Sequence, residues 1–318
     1  MKRCAFFFVL CLLGCLGCQG QEARWSMAFW NVENFFDTWH DTLKNDFEFT
    51  PDGKNHWTKN RYEDKRDKIF KMIAAMMWPD VIGLSEVEND HVLRDLCLGT
   101  PLRKFGYHFI HYESPDQRGS DCALLYRKDN FQVLESRSIY VSDTLAHFFT
   151  RDILLVGGIL TGGDSCYILV NHWPSKLSGA IAERHRYEIA QKLLSLMDSL
   201  DKAHPAALVL AMGDFNSDPY EPPMTNGMDF DRDGRNAAGL YNLMYQIPKG
   251  TGSYKYHGHW SCIDQMIANR ELEVEVFAPP FVLQKDRKYM GYKVSRTYLG
   301  MRYLGGFSDH LPIIVRIP

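Results

Sequence analysis

A succession of short β-type runs, spread over nearly the whole chain and broken in two places by segments of helical period, most restricts what this sequence can fold into. Ser26 to Asn31 (SMAFWN) alternates as a half-buried strand does, and Asp80 to Ser85 reads as a buried strand that delivers Glu86 at its end. Further strand candidates are Tyr107–Tyr112, Cys122–Tyr126, Phe131–Tyr140, Ile153–Leu160, Ser165–Asn171, Ala207–Gly213, Ile263–Ala268, Glu273–Phe277 and Leu311–Arg316. Arg61 to Trp78 instead carries Ile69, Met72, Ile73, Met76 and Met77 at helical spacing until Pro79 stops it, and Glu183 to Leu200 sets Ile189, Leu193, Met197 and Leu200 on one face. Strands that are sometimes adjacent and sometimes separated by helices predict an α+β chain with two packed mixed β-sheets flanked by helices. No linker, repeat or low-complexity tract divides it, and 318 residues, 45% of them apolar, can bury a substantial core.

The N-terminus stands apart. Met1-Lys2-Arg3 is a short positive start, and Cys4 to Cys18 follows without a charge before the polar Gln19-Gly20-Gln21-Glu22. That is the layout of a bacterial export signal, and the apolar run is too short for the roughly 20 residues of a spanning helix. Residues 1–20 therefore read as a signal peptide or lipoprotein leader, and residues 24–318 as the folded domain. Leu12-Leu13-Gly14-Cys15 resembles a lipobox, which would lipidate Cys15 and anchor the chain to a membrane; cleavage after Gly20 and a buried apolar helix are the alternatives. The expected location is the bacterial cell envelope: periplasmic, secreted or lipid-anchored.

Charge and cysteine usage narrow the function classes. Lys+Arg 36 against Asp+Glu 39 gives a net charge of −3, and Lys2 and Arg3 lie in the leader, so the remainder is more acidic still. A protein held to nucleic acid mainly through phosphates usually has a basic excess, so capture by the whole surface is not expected, while a local basic groove stays open. Of the eight cysteines, Cys4, Cys11, Cys15 and Cys18 fall in the leader. Cys97, Cys122, Cys166 and Cys262 lack metal spacing and sit in apolar contexts, so neither a zinc site nor a disulfide framework is signalled.

The polar residues of interest fall at the ends of the apolar runs, where a rigid sheet can aim side chains into a shared cleft. Trp30-Asn31-Val32-Glu33-Asn34 follows the first run and Glu86 the second. Asn171-His172-Trp173-Pro174 and Gly213-Asp214-Phe215-Asn216-Ser217-Asp218-Pro219 end two others; Cys262-Ile263-Asp264 opens a strand, and Ser308-Asp309-His310-Leu311-Pro312 precedes the last. Carboxylates, amides and imidazoles of this kind suit a hard divalent cation together with acid and base groups.

These blocks, WNVEN, SEVEN, NHWPSK, GDFNSDP, CIDQMI and SDHLP, resemble in type and order the signatures of the endonuclease/exonuclease/phosphatase superfamily, which includes deoxyribonuclease I, apurinic endonucleases, sphingomyelinases and inositol-polyphosphate 5-phosphatases. The resemblance implies a four-layer α/β/β/α sandwich and a divalent-metal-dependent phosphoesterase that cleaves phosphodiesters by direct attack of water, with a nuclease as the leading reading. A sphingomyelinase-like phospholipase, an inositol-phosphate or small-metabolite phosphatase and a catalytically silent surface binding lipoprotein are the alternatives. It implies Mg²⁺ or Mn²⁺ held by Glu86, with Asn31 orienting or joining that shell and Asp309 as a further ligand. Asp214 would orient or deprotonate the attacking water, Asn216 donate to a phosphate oxygen, and His310, its other nitrogen held by Asp264, contact the scissile phosphate. His172 resembles the second histidine of the deoxyribonuclease and sphingomyelinase branches, a donor to phosphate or leaving group. The implied partner is a phosphate ester, whether nucleic acid, phospholipid head group or phosphorylated metabolite, and no obligate protein partner is indicated.

Three features lie outside those blocks. Arg118 and Asp121 of DQRGSD are expected at the cleft rim, touching substrate. Asp229, Asp231 and Asp233 copy the opening of a calcium loop, a candidate Ca²⁺ site, but Leu240 stands where a bidentate glutamate should close it. Ser253 to Trp260 and Phe47 to Trp57 mix aromatic and basic residues that could pack as loops or stack on bases, sugars or lipid.

Overall fold

A computed structural model describes residues 24–142 and 148–318. The leader, 1–20 with Cys15, lies outside the described residues. Eighteen strands and three α-helices are present among those that are described. In chain order the strands are β1 (Trp25–Phe35), β2 (Val81–Val87), β3 (Tyr107–His111), β4 (Asp121–Arg127), β5 (Phe131–Ile139), β6 (Ile153–Leu160), β7 (Ser165–His172), β8 (Leu208–Asp214), β9 (Tyr241–Asn242), β10 (Tyr254–Tyr256), β11 (His259–Ser261), β12 (Asp264–Ala268), β13 (Glu273–Val276), β14 (Leu283–Lys285), β15 (Tyr292–Val294), β16 (Tyr298–Leu299), β17 (Arg302–Tyr303) and β18 (Ile313–Ile317). The helices are α1 (Lys59–Ala75), α2 (Asp90–Gly99) and α3 (Gly179–Ala203).

Two six-stranded mixed sheets result, ordered β13-β18-β1-β2-β4-β3 and β5-β6-β7-β8-β12-β9. The period of two along β1 explains the layering. Met27 and Phe29 pack with Val156, Ile168, Leu210 and Met212 of the second sheet, while Ala28 and Trp30 turn the other way onto Ile69, Met72 and Ile73 of α1 and Leu93 and Leu96 of α2. On the far side, Leu155, Leu169 and Val209 meet Ile189, Leu193 and Met197 of α3. The order is helices, sheet, sheet, helix, the four-layer sandwich. Each fully buried aliphatic side chain contributes roughly 1.5–3 kcal/mol, so the sheet-to-sheet seam holds the strand ends in fixed relation.

Strands β9, β10, β11 and β14 to β17 are not expected from the sequence, and three further differences bear on the site and its supports. Strand β1 does not end at Asn31 but bulges and continues to Phe35, with Glu33 and Asn34 at φ 51° and 57°. Helix α1 stops at Ala75, so Met77, in helical register in the sequence, lies past the end, exposed, at φ 62°. The unanticipated α2 is capped by Asn89, whose side-chain oxygen accepts from the N–H groups of His91 and Val92 at 2.9 and 3.1 Å. Cys97, Cys122, Cys166 and Cys262 are free and buried. No helix among the described residues is long and apolar enough to cross a membrane.

Candidate active site

Strands β7 and β8 run parallel, and β8 and β12 antiparallel, in a register that places His172 opposite Asp214 and Asp214 opposite Asp264. Three polar side chains therefore stand in one row across the end of the second sheet. The close approach depends on Gly213, where a Cβ would sit 2.3 Å from the Asn171 carbonyl oxygen. The first sheet faces this row with Asn31 from β1, Glu86 from β2 and His310 from the turn before β18. Glu86 sits at φ 63° in a bulge of the β2–β4 ladder, and that kink brings its carboxylate to the β1 bulge.

The hydrogen bonds join the two sheets. Asn31 Nδ2 donates to Glu86 Oε1 and to Asp214 Oδ2, both at 3.1 Å, while its Oδ1 accepts from the Glu33 N–H at 2.9 Å. Glu86 Oε2 accepts from the Asn34 N–H at 2.9 Å. Asp214 Oδ1 accepts from the Asn216 N–H at 2.9 Å, and Oδ2 faces His172 Nε2 at 3.7 Å and His310 Nε2 at 3.8 Å. His310 Nδ1 lies 2.7 Å from Asp264 Oδ2. The His310 backbone is pinned as well: its N–H donates to Ser308 Oγ at 3.0 Å, its carbonyl accepts from Trp30 Nε1 at 3.0 Å, and Ser308 Oγ donates to the Asn31 carbonyl at 2.7 Å. Tyr254 of β10 lies against the imidazole with ring centroids 4.7 Å apart.

Residues 26–318 match the endonuclease/exonuclease/phosphatase family. The chain belongs to that family. As a member it is a divalent-metal-dependent hydrolase acting on phosphoric esters. No curated protein sequence matches it. Solved structures of the same fold include a mannosyl-6-phosphatase of Bacteroides thetaiotaomicron (16% identity, 92% of this chain and 98% of that one, TM-score 0.58). The human nocturnin catalytic domain with a bound sulfate anion is another (16% identity, 91% and 92%, TM-score 0.57). A third is D. rerio TDP2 complexed with single strand DNA product (18% identity, 92% and 97%, TM-score 0.56).

Within this endonuclease/exonuclease/phosphatase fold the environment drives the two histidines apart. Burial opposes a charge on His310, but Asp264, and after it Asp309 and Asp214, outweigh it and hold the imidazole well above its ordinary value. Burial, then the charges of Arg151, Arg118 and His310, push His172 well below it. Asp214 is raised to about 7 by burial, with Asp264 adding to the rise and His310 resisting it. One imidazolium, one neutral imidazole and a carboxylate poised near neutrality thus share a few ångströms, the division of charge states that acid–base chemistry requires.

The donor chemistry also fits the family's cation. Asn31 Oδ1 is committed to the Glu33 N–H, so the amide presents its NH₂ to the site and bridges Glu86 and Asp214 rather than offering an oxygen. Glu86, the metal ligand that the resemblance implies, has its carboxylate held by Asn31 Nδ2 and the Asn34 N–H. Asp214, Asp264 and His310 also offer atoms within 4.8 Å of one another, and Asp264 Oδ1 is buried without a hydrogen-bond partner. With Glu86 added, three carboxylates meet at the site, an oxygen-rich set suited to a hard divalent cation, and no thiol joins them.

Other expected residues fall differently. The Asp309 carboxylate is held by Arg296 at 2.8 Å. One N–H of the Asn216 amide is engaged by the Trp173 carbonyl at 2.9 Å. Arg118 keeps a half-exposed side chain paired to Asp116 at 3.3 Å. Asp121 does not lie at the rim: it is fully buried, because the start of β4 pairs with Val87 and turns its side chain inward onto Ser114. The Asp229–Asp233 stretch is corrected too. Asp231 Oδ1 accepts from the N–H groups of Asp233 and Arg235, both at 2.9 Å, making a hydrogen-bonded turn, and among the described residues these three carboxylates do not gather into a metal-holding group.

Sequence reasoning missed several members of the site. Arg151 is buried, bridging Asp116 Oδ2 at 3.1 Å and the Trp173 carbonyl at 2.8 Å. Arg296 links Asp309 to Glu33, and Glu33 in turn caps the N–H groups of Thr297 and Tyr298 at 2.5 and 3.1 Å. Burial raises Glu33 to about 7 and lowers its neighbour Lys65 to about 8. Arg151, Arg296 and Lys65 lie outside the strand-end blocks, whereas Glu33 sits inside WNVEN and Ser308 inside SDHLP.

Proposed function

We propose that this family member is an exported, Mg²⁺- or Mn²⁺-dependent phosphodiesterase, with nucleic acid as its leading substrate. The observation that carries the reading is Asp214 Oδ2, which lies within 3.8 Å of both histidines and is tied through Asn31 to Glu86. The bound cation would supply charge neutralisation and polarisation of the phosphate oxygens. Asp214 orients the attacking water and takes its proton. His310, charged and fixed by Asp264, binds the developing negative charge on phosphate. Neutral His172 stands on the other side of Asp214 as a donor to the leaving oxygen. Asn216 has one amide N–H left for a phosphate oxygen. Arg118, half-exposed and acting on His172, adds positive charge for an anionic substrate despite the acidic chain. The DNA product in the TDP2 neighbour fits the nuclease reading; the mannosyl-6-phosphatase neighbour speaks for a sugar-phosphate monoester instead.

A panel assay of residues 24–318 with Mn²⁺ tests it, using single- and double-stranded DNA, RNA, sphingomyelin, inositol phosphates, sugar phosphates and a bis-aryl phosphate. Diester cleavage, lost in folded Asp214→Asn and His310→Ala, is the expected outcome. Turnover of monoesters alone would replace the substrate class, and full turnover in either variant would overturn the residue roles. Export is tested separately by fractionating cells that express the full chain and its Cys15→Ala variant, with labelling by radioactive palmitate separating a lipid anchor from simple cleavage.

A further inference from the structure

A second constellation of ligating side chains lies at the open end of the β3–β4 hairpin. His111 ends β3, Glu113 is the second residue of the connection and Asp121 opens β4, and one donor atom from each falls within 4.8 Å of the others. Each buried member is anchored at one end and bare at the other. His111 Nδ1 is bound to Asp90 Oδ1 at 2.9 Å, and Asp121 Oδ1 accepts from the Ser114 N–H at 3.1 Å and from the Ser114 hydroxyl. This leaves His111 Nε2 and Asp121 Oδ2 facing each other at 3.4 Å, on side chains only 3% and 0% exposed, and neither atom has a hydrogen-bond partner. Buried polar atoms without partners cost about 1–3 kcal/mol each, and the 3.4 Å ion contact between these two does not meet hydrogen-bond geometry, so the point favours an occupant. A carboxylate on the far nitrogen is the arrangement that orients metal-ligating histidines. Glu113 has a half-exposed side chain and gives the point an opening to solvent; Lys44 Nζ, 3.4 Å from Glu113 Oε2, is the competing partner on that side.

We propose that His111, Glu113 and Asp121 form a second metal site, distinct from that of Glu86, for a zinc-class divalent cation. One imidazole and two carboxylates with a fourth position left to water is a zinc-type donor set, whereas Ca²⁺ and Mg²⁺ call for more oxygen ligands. The cation clasps both ends of the connection that carries Asp116 and Arg118, and so fixes the arginine presented to the cleft.

The test uses residues 24–318, stripped of metal and titrated with ZnCl₂ by calorimetry, with CoCl₂ as a spectroscopic probe. The protein binds one equivalent of Zn²⁺ that persists in Glu86→Gln and is absent from His111→Gln, and Co²⁺ at that site gives the visible absorption of a low-coordinate ion. This readout needs no turnover, so it stands or falls apart from the assignment of the active site. Asp90→Asn and Glu113→Gln alter side chains that are 59% and 56% exposed. Asp90→Asn weakens zinc binding about 10- to 100-fold, the usual effect of losing a histidine's orienting carboxylate, and Glu113→Gln weakens it at least as far. Zinc binding unchanged in folded Glu113→Gln and Asp90→Asn, or no His111-dependent equivalent in the parent, would overturn the proposal and leave His111 as an imidazolium paired with Asp90 and Asp121.

Discussion

Asp264→Asn separates the contribution of the histidine's orienting carboxylate from that of the histidine itself. Asp264 is fully buried and its Oδ2 lies 2.7 Å from His310 Nδ1. The substitution keeps the shape and removes the charge. A hydrogen bond to a charged group is worth about 1.5–3 kcal/mol net. At about 1.4 kcal/mol per factor of ten, losing it where His310 faces the transition state lowers kcat about 10- to 150-fold. KM should move less than about threefold, because the interaction strengthens as charge develops on the phosphate rather than on substrate binding. The assay is steady-state hydrolysis of a bis-aryl phosphate with saturating Mn²⁺, well below the melting temperature of each variant. The double variant Asp264→Asn/His310→Asn should be no slower than His310→Asn alone, since the carboxylate acts through the ring. Wild-type kcat in folded Asp264→Asn, or losses that multiply in the double variant, would refute the coupling.

Three further outcomes are expected. In Gly213→Ala a methyl group meets the Asn171 carbonyl oxygen at 2.3 Å, and overpacking against backbone costs about 1–3 kcal/mol or more. Its melting temperature should fall by about 2–4 °C per kcal/mol, with kcat falling too as Asp214 is displaced; an unaltered melt contradicts the tight approach of β7 to β8. Arg118→Ala should raise KM about tenfold, equivalent to about 1.4 kcal/mol, with little change in melting temperature, because Asp116 keeps Arg151 as its partner; an unchanged KM removes Arg118 from substrate binding. Chelation should abolish hydrolysis and added Mg²⁺ or Mn²⁺ restore it, whereas turnover by the stripped protein excludes the metal role.

Every sheet strand except the two-residue β9 was legible because it carries a period-two or continuous apolar pattern, and α1 and α3 because they are long. Helix α2 was not, since its cap Asn89 belongs to the same SEVEN block that delivers Glu86, and a ten-residue helix leaves little periodicity. The block residues that meet in the cleft are each local strand ends, a position visible in sequence. Arg151, Arg296 and Lys65 are recruited through contacts that no local pattern records: Lys65 Nζ reaches Thr297 Oγ1 and the Phe307 carbonyl at 2.7 and 2.6 Å. Asp121 was misplaced for the converse reason. A turn-like DQRGSD suggests solvent, whereas pairing to Val87 makes its last residue the first of a buried strand. The Asp229 loop shows how an acidic spacing can serve an ordinary hydrogen-bonded turn.

The row formed by His172, Asp214 and Asp264 ties reactivity to the cooperativity of the whole molecule. These groups occupy successive strands at the centre of a sheet packed on both faces, so no hinge can bring them together late, and none can leave without breaking main-chain pairing. The catalytic arrangement and the native state then share one denaturation transition, and activity becomes a reporter of global unfolding. The β10–β11, β14–β15 and β16–β17 hairpins lie outside both sheets. The β10–β11 hairpin still reaches the site through Tyr254, so changes in these hairpins can alter what the cleft admits without breaking the pairing that holds the row.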